Sequence, residues 1–271
     1  MAKKDRFNFE ASAYLQTLIG RELFRREDFA IVELIKNSYD SGAQHVVIRT
    51  QLPSEREPGR ITVVDDGSGM DSETFQQNFM FAGYSERPDQ VKAASRVPTG
   101  EKGVGRFATD RLGTRLTVTT KTPGRVPALR VEIDWEKFAD RRKRFSDVSA
   151  DVSVAQAHPF KGGSGTLLEI QGLRSAWERS DVARLRDSLG RLLNPFAPPK
   201  NFEIVLEVMG ADSLSGPIEP PKIDDPDIDV RFELRRDGMV LRTTKKAPGL
   251  TSQNEESVKN NHEIYQYQIV I

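Results

Sequence analysis

Apolar and polar positions between residues 29 and 42 follow the period of an α-helix. At about 100° per residue, Glu33, Asn37 and Asp40 fall within a stripe of roughly 60°. The apolar residues lie on the other side: Ile31, Leu34 and Ile35. The pattern predicts a helix that is buried on most sides and ends at Gly42. A buried carboxylate is costly unless it is paired or binds a ligand, so the stripe is a candidate ligand site, although a solvated helix face would be the better explanation if it stood alone.

Two apolar runs after this helix, residues 45–48 and 61–64, predict a pair of β-strands. The second run leads into residues 65–70, Asp-Asp-Gly-Ser-Gly-Met. The two glycines let the backbone bend away and leave Asp65 facing whatever lies at the end of the strand. A ligand could reach the carboxylate there, and an ordinary Asp-Gly turn is the alternative.

A glycine-rich stretch at residues 99–107, Thr-Gly-Glu-Lys-Gly-Val-Gly-Arg-Phe, runs into a predicted short helix. Free backbone N–H groups and the positive end of a helix would then face one point, as phosphate binding requires. A flexible loop is the alternative explanation of the same residues.

The rest of the pattern predicts a layered domain. Alternating or β-branched residues predict four further strands, at 116–120, 129–134, 148–154 and 167–170. Together with the first pair they make a sheet of about six strands that is covered on one face by helices. These helices are expected at 7–27 with its apolar residues in the core, at 71–81 with Asp71 as cap, at 107–112, and at 180–193 with Ser180 as cap.

A Pro-rich segment at residues 194–199 predicts a linker, so we expect one domain over residues 1–195 and a second, strand-rich domain over 196–271. The strands of the second domain are expected at 204–208, 230–234, 240–243 and 264–271, with a hairpin turn at 236–238 and an exposed segment at 215–229. The chain ends within the last of these strands, so we expect this domain to be truncated.

Composition narrows the class of protein. The 271 residues carry 40 basic and 40 acidic side chains, which argues against a surface that binds nucleic acid as a whole. Cysteine is absent, so disulfides and thiol catalysis are excluded, and no apolar segment is long enough for a signal core or a membrane span. We expect a soluble, cytoplasmic protein with no membrane partner.

Three segments of the chain together resemble the nucleotide-binding boxes of the GHKL ATPases, the superfamily of gyrase B subunits, large heat-shock chaperones, sensor histidine kinases and MutL. The first box is Glu-x-x-x-Asn-x-x-Asp at 33–40, the second Asp-x-Gly-x-Gly-Met at 65–70, and the third Gly-x-x-Gly-x-Gly at 100–105. A fourth match is the pair Gly165-Thr166. The resemblance implies an α+β Bergerat-type ATP-binding sandwich, a mixed and mostly antiparallel sheet with helices on one face, before the strand-rich second domain.

The resemblance also implies ATP and Mg²⁺ as cofactors and gives roles to the first box. Glu33 would be the general base that activates the water attacking the γ-phosphate. Asn37 would be the metal ligand, because an amide oxygen suits Mg²⁺. Asp40 would either support Asn37 or the waters near the adenine, or serve as a structural carboxylate at the helix end, and both interpretations stay open.

The other boxes would bind the base and the phosphates. Asp65 would accept a hydrogen bond from the adenine amino group and so select adenine over guanine. Thr166 would lie near the adenine and Met70 would pack on it, in a turn shaped by Gly67 and Gly69. The third box would offer backbone N–H groups and one charge to the phosphates: Gly103, Val104, Gly105 and Lys102.

Other nucleotide-binding classes fit the sequence less well. Neither glycine-rich stretch, 100–105 or 162–165, has the Lys-Ser/Thr continuation of a P-loop. Residues 100–105 also follow a long polar segment and not the first strand of a dinucleotide-binding unit. Sensor histidine kinases usually carry Asn in place of Glu33 and need a phosphoacceptor histidine on a separate helix. The histidines of this chain lie in no long amphipathic pattern: His45, His158 and His262.

The sequence therefore predicts an ATPase that acts as a nucleotide-gated, dimerising clamp or conformational switch. Residues 82–103 would form its ATP lid, and ATP binding would close a homodimer. The third box resembles that of prokaryotic MORC-like ATPases, some of which belong to defence systems. Two alternatives stay open: a nucleotide-sensing interaction module with little turnover, and a sensor histidine kinase. DNA, a client protein and a partner nuclease all remain open as the target, and no motif ties Lys245 or Lys246 to the γ-phosphate.

Overall fold

The computed structural model describes residues 9–54, 57–81, 105–160, 163–194 and 201–222 with their side chains, and the backbone of residues 228–235, 238–247 and 250–258. The chain divides into two compact units, Met1–Pro221 and Lys222–Ile271.

The N-terminal segment starts with one helical turn, α1 (Tyr14–Thr17), which continues as a π-helical stretch over Leu18–Leu23. The predicted helix at 7–27 is therefore shorter than expected. Three of its four leucine and isoleucine side chains are exposed and not in the core, with Leu15, Leu18 and Leu23 at 43%, 37% and 54% exposure, whereas Ile19 packs against the core as predicted. The periodicity identified an apolar stripe, but the period alone does not say whether that stripe faces the chain's own core.

The helix predicted between residues 29 and 42 is α2, Glu27–Asp40. Its apolar face is buried, as the pattern predicts: Ala30, Ile31, Leu34 and Ile35. Gly42 follows the helix with φ 80°, a value that favours glycine, and the chain turns there into the first strand.

Eight strands form one sheet: β1 His45–Gln51, β2 Arg60–Asp65, β3 Gly113–Lys121, β4 Leu129–Asp134, β5 Asp151–Val154, β6 Gly165–Leu173, β7 Glu203–Met209 and β8 Gly216–Pro217. Their order across the sheet is β5-β4-β3-β6-β2-β1-β7-β8. Neighbours are antiparallel except β1 and β7, which run parallel. The predicted α+β sandwich with a mixed, mostly antiparallel sheet is confirmed.

The other helices are α3 (Ser72–Thr74), which continues as a π-helical stretch over Phe75–Met80, α4 (Ala108–Leu112), which follows a 3₁₀ turn over Gly105–Phe107, and α5 (Arg179–Gly190). Asp71 caps α3 as predicted, because its carboxylate accepts from the Thr74 N–H at 2.8 Å. Glu178, and not Ser180, is the N-cap of α5. Along the described residues, every helix is too short or too polar to cross a membrane.

One face of the sheet packs against the helices. Buried side chains such as Ile48 of β1 and Val63 of β2 share a single core with Ile35 of α2, Leu112 of α4 and Leu185 of α5. The opposite face carries charged pairs, of which Arg49–Glu207 is one: it joins β1 to β7. The period-2 alternation of the strands thus places the helices on one face, as expected.

The sheet has eight strands and not about six, because β7 and β8 belong to it. β7 lies after the predicted linker and pairs in parallel with β1, from His45↔Glu203 to Gln51↔Met209. β8 pairs with β7, and Ile218 beside it is buried although residues 215–229 were expected to be exposed. The compact units therefore divide at residues 221/222 and not at 195/196. The assignment of a second functional domain stays a prediction.

The second unit contains a three-stranded antiparallel sheet in the order β11-β10-β9, formed by β9 (Ile228–Arg235), β10 (Gly238–Ala247) and β11 (Leu250–Val258). Gly238 pairs with Arg235, so β9 and β10 are antiparallel neighbours on either side of the hairpin turn predicted at 236–238. Residues 236 and 237 of that turn lie outside the described residues. Lys245 and Lys246 lie within β10. The strand predicted at 264–271 lies outside the described residues.

Candidate functional site

The polar stripe of α2 is present and opens to solvent. Asn37 and Asp40 are exposed. The Glu33 side chain is 31% exposed, and its Oε1 lies 2.7 Å from Lys36 Nζ. Glu33 therefore has both a charge partner and access to water, so the burial cost argued from the sequence does not apply to this carboxylate. A half-exposed carboxylate can still reach a water molecule held at the helix surface.

The end of the third box lies directly against the first box. A Cβ built on Gly105 would be 3.3 Å from Asn37 Nδ2 and 3.6 Å from Asn37 Oδ1. Any larger residue at position 105 would therefore enter the space in front of the Asn37 amide. Lys102, Gly103 and Val104, and the lid predicted at 82–103, lie outside the described residues.

Asp65 ends β2 as a buried carboxylate that is held from three sides. Its Oδ1 accepts from the Gly67 N–H at 3.0 Å and from the Thr166 N–H at 3.2 Å. Its Oδ2 accepts from the Ser38 hydroxyl of α2 at 2.9 Å. Burial raises the pKa of the Asp65 carboxyl, and these hydrogen bonds act against that rise. The first box, the second box and the Gly165-Thr166 pair therefore meet at one carboxylate.

A row of three polar side chains crosses the sheet at this point. Asp65 of β2 pairs with Thr166 of β6, and Thr166 pairs with Thr120 of β3. Directly paired residues project from the same face of a sheet, and Asp65 and Thr120 are both buried. The row therefore lies on the face that carries the helices.

Neighbouring atoms lie so close to the two glycines of the second box that a side chain there would collide with them. A Cβ on Gly67 would lie 2.1 Å from Ser41 Oγ, and a Cβ on Gly69 would lie 2.0 Å from the Lys121 carbonyl oxygen. Gly69 also has φ 64°, which side chains rarely adopt. Met70 follows, partly buried against the core. The turn is thus pressed between α2 and β3, and the predicted role of both glycines in shaping it has a physical basis.

The neighbouring Asp66 has a different task. Its Oδ1 accepts from the backbone N–H groups of Gln44 and His45, and its Oδ2 lies 2.8 Å from His45 Nδ1. The hydrogen bond to Asp66 raises the pKa of His45. Partial burial acts to raise the pKa of Asp66, but its bonds to His45 and Gln44 leave that pKa lowered. Asp66 therefore fastens the start of β1 to the end of β2.

Sequence reasoning missed two hydroxyl residues of this site. Ser38 is buried beside Asn37, and Thr120 is buried on β3. The only local signal for Ser38 is a small polar residue on a helix face that should be apolar. Thr120 stands in a run of threonines with no pattern that separates it from its neighbours. Its role follows only from the pairing of β3 with β6.

The described residues contain no group of three or more His, Cys, Asp or Glu side chains that could hold a metal ion. Mg²⁺ is commonly held by one or two protein oxygens while phosphates and water complete its coordination. The exposed Asn37 amide beside Gly105 has room to contribute one such oxygen. The donor set therefore fits a metal that arrives with a phosphate ligand.

A protein-family model described as histidine kinase-, DNA gyrase B- and HSP90-like ATPase matches residues 26–163. This match includes all three boxes, α2 and strands β1 to β5. No curated protein matches the chain.

Proposed function

Because the chain belongs to the family of histidine kinase-, DNA gyrase B- and HSP90-like ATPases, we propose that its first unit binds ATP with Mg²⁺ and hydrolyses it. In this proposal, ATP binding and release switch the protein between two conformations, and the ATP-bound form is a homodimer. Membership of the family supports nucleotide binding in general.

The observation that carries the proposal is the buried Asp65 carboxylate at the meeting point of the boxes. Among the described residues, its Oδ2 has one donor, the Ser38 hydroxyl, and a carboxylate oxygen accepts more than one hydrogen bond. An adenine amino group could therefore donate to Asp65. Guanine has a carbonyl at that position and would leave the buried carboxylate facing another acceptor, which costs affinity.

The α2 stripe supports the phosphate end of the site. Mg²⁺, when bound, would draw negative charge from the phosphates and favour attack on the terminal phosphorus. Asn37 would contribute an oxygen to it beside Gly105. Glu33 lies one turn earlier on the same stripe, so it would orient a water and accept its proton.

Glu33 also favours hydrolysis over phosphotransfer to a histidine. Neither described histidine lies on a helix: His45 starts β1 and is paired with Asp66, and His158 stacks on Phe160 in a loop. A sensor kinase needs a histidine displayed for transfer. The alternative of a nucleotide sensor with little turnover does not require a water-activating carboxylate, so Glu33 argues against it as well.

Exposed apolar side chains support the homodimer. Phe9, Leu15, Leu18 and Leu23 of the N-terminal segment and Phe29 of α2 are each more than one third exposed. Such a group of large apolar side chains is the kind of surface that a second copy covers. We place the chain in the MORC-like or chaperone-like branch of the family, and the form of the third box supports the MORC-like one. Its target stays open.

The test compares wild type with Glu33→Ala and with Glu207→Gln, a surface carboxylate on the opposite face of the sheet as the control. Nucleotide binding, phosphate release and oligomeric state are measured in the same samples with Mg²⁺ and ATP. The proposal expects all three proteins to bind ATP, only Glu33→Ala to lose turnover, and that variant to accumulate as an ATP-bound dimer. Binding without turnover in every sample would favour the sensor, and no binding at all would contradict the proposal.

A further inference from the structure

A fully buried hydroxyl connects the two segments that border Asp65. Thr120 has 0% exposure. Its Oγ1 accepts from the Met70 N–H at 2.8 Å and lies 3.2 Å from both the Gly165 carbonyl oxygen and Thr166 Oγ1. Met70 closes the second box, whereas Gly165 and Thr166 open β6. One side chain on β3 therefore joins the two pieces of chain that shape the predicted base site.

The position of Thr120 follows from the pairing of three strands. Thr120 stands opposite Thr166, whose backbone N–H donates to Asp65 Oδ1. One residue further, the carbonyl oxygen of Lys121 comes so close to Gly69 that a Cβ there would lie 2.0 Å away. The second-box turn therefore rests on the end of β3, and Thr120 is the side chain that fastens the turn to that strand.

The chemistry needs a hydroxyl at this position. A threonine hydroxyl has one hydrogen and two lone pairs. One lone pair takes the Met70 N–H, and the hydrogen goes to the Gly165 carbonyl or to Thr166. Valine has the same shape but can neither accept nor donate a hydrogen bond, so it would leave the Met70 N–H without this partner. A partly buried donor that loses its partner costs free energy, and the turn would relax away from β3 to find water.

We propose that Thr120 is a positioning residue of the nucleobase site, acting through Met70 and Thr166 to hold the base-binding turn at a fixed distance from Asp65. This inference rests on the proposed binding of ATP. Its consequence is that removing the hydroxyl weakens the selection of adenine, while the phosphate contact proposed for α2 is untouched.

The test uses Thr120→Val, Thr120→Ser and Thr50→Val. Thr50 is a matched control, because it is also buried on the core face of the sheet, while its Oγ1 has no hydrogen-bond partner among the described residues. ADP and GDP affinities are measured by competition with a fluorescent ADP analogue, well below the melting temperature of each protein. Melting temperatures are recorded separately without nucleotide.

We expect Thr120→Val to lose about tenfold in ADP affinity, in line with the loss of a buried hydrogen bond, and to lose part of its preference for ADP over GDP. Thr120→Ser keeps the hydroxyl and should restore both, and Thr50→Val should bind as wild type does. An unchanged ADP affinity and preference in Thr120→Val would overturn the inference. So would a serine variant that melts like wild type but binds like the valine variant.

A second measurement covers the case in which Thr120→Val does not fold. Hydrogen exchange of the Met70 amide in the wild type should be slow without nucleotide, because Thr120 already holds that N–H, and exchange at the unprotected rate would refute the inference. If wild type binds neither nucleotide while its Met70 amide is protected, the proposed function fails and Thr120 is left as a structural residue only.

Discussion

The Ser38 hydroxyl donates to Asp65 Oδ2 at 2.9 Å, and this bond joins α2 to the end of β2. Ser38 immediately follows Asn37 on α2. The helix that presents Asn37, the predicted metal ligand, to solvent therefore also holds Asp65, the predicted acceptor for the base. A displacement of α2 would therefore move the group predicted to bind the metal and the group predicted to bind the base at the same time.

Asp65→Asn should weaken ADP binding by about tenfold to a hundredfold, the range for a lost charged hydrogen bond. The amide keeps the shape of the side chain, but its NH₂ group would face the adenine amino group or the Ser38 hydroxyl. Isothermal titration calorimetry measures the effect. Asp66→Asn is the matched control, because the hydrogen bonds of Asp66 among the described residues go to the start of β1, and its ADP affinity should stay near that of wild type. Equal losses in both variants would contradict the role given to Asp65.

ADP affinity should also fall at mildly acid pH. Burial raises the pKa of Asp65 above its ordinary value of 3.8, and the ionised carboxylate is the better acceptor for the adenine amino group. Affinity should therefore drop as the pH is lowered through this raised pKa. A titration from about pH 7 to about pH 4 in buffers of equal ionic strength tests it. Asp65→Asn should lack this step, so parallel profiles for the two proteins would rule out Asp65 as its origin.

The raised pKa of Asp65 also makes the free energy of unfolding depend on pH, in the opposite direction to the ADP affinity. Because the pKa of Asp65 is higher in the folded than in the unfolded chain, its contribution to the free energy of unfolding is full below the unfolded pKa and is lost as the pH rises through the folded pKa. Comparing urea unfolding of wild type and Asp65→Asn across this range should show the wild type losing stability relative to the variant as the pH rises. A constant difference would mean that the pKa is not raised.

Gly69→Ala should destabilise the protein far more than Gly42→Ala. Both glycines have positive φ, 64° and 80°, so both variants pay the conformational cost of about 1 kcal/mol. Only at Gly69 does a Cβ meet the backbone, 2.0 Å from the Lys121 carbonyl oxygen, whereas nothing lies within 4 Å at Gly42. Thermal unfolding should therefore show that the free energy of unfolding of Gly69→Ala is several kcal/mol lower than that of wild type, or that this variant does not fold. Similar losses for both variants would show that the turn can move off β3.

A partly buried network of ion pairs should contribute most of the free energy that holds the N-terminal segment against α4. Asp110 of α4 has 0% side-chain exposure and contacts Arg21 of that segment at 3.2 Å and Arg174, just after β6, at 2.7 Å. Glu136 binds the same two arginines from the solvent side, at 3.1 Å and 2.7 Å, with 49% exposure. The two carboxylates thus differ in burial while sharing their partners.

Asp110→Ala should cost on the order of 3 kcal/mol, because it breaks a buried pair, while Glu136→Gln should cost about 1 kcal/mol or less, as an exposed pair does. Urea unfolding measures both. Limited proteolysis of Asp110→Ala should cut the segment around Arg21 faster than in wild type. An equal effect of the two variants on the unfolding free energy would mean that burial does not strengthen this network.

The sequence by itself determined most of the secondary-structure elements and which residues are candidates for the site. Local periodicity places α2, β2 and β4, since the side chains of a helix or strand repeat at a period set by its own backbone. The spacing of Glu33, Asn37 and Asp40 and the turn after Asp65 depend on the same local geometry. These features needed no knowledge of neighbours in space.

Only the tertiary structure decided which distant residues meet. The parallel pairing of β7 with β1, the hydroxyls of Ser38 and Thr120 around Asp65, and the exposure of Leu23 have no local signal. Each depends on contacts between segments far apart in the chain, and such contacts are selected by the packing of the whole core. A threonine looks the same in the sequence in both cases: at Thr50 its hydroxyl has no hydrogen-bond partner among the described residues, and at Thr120 it is shared between two segments.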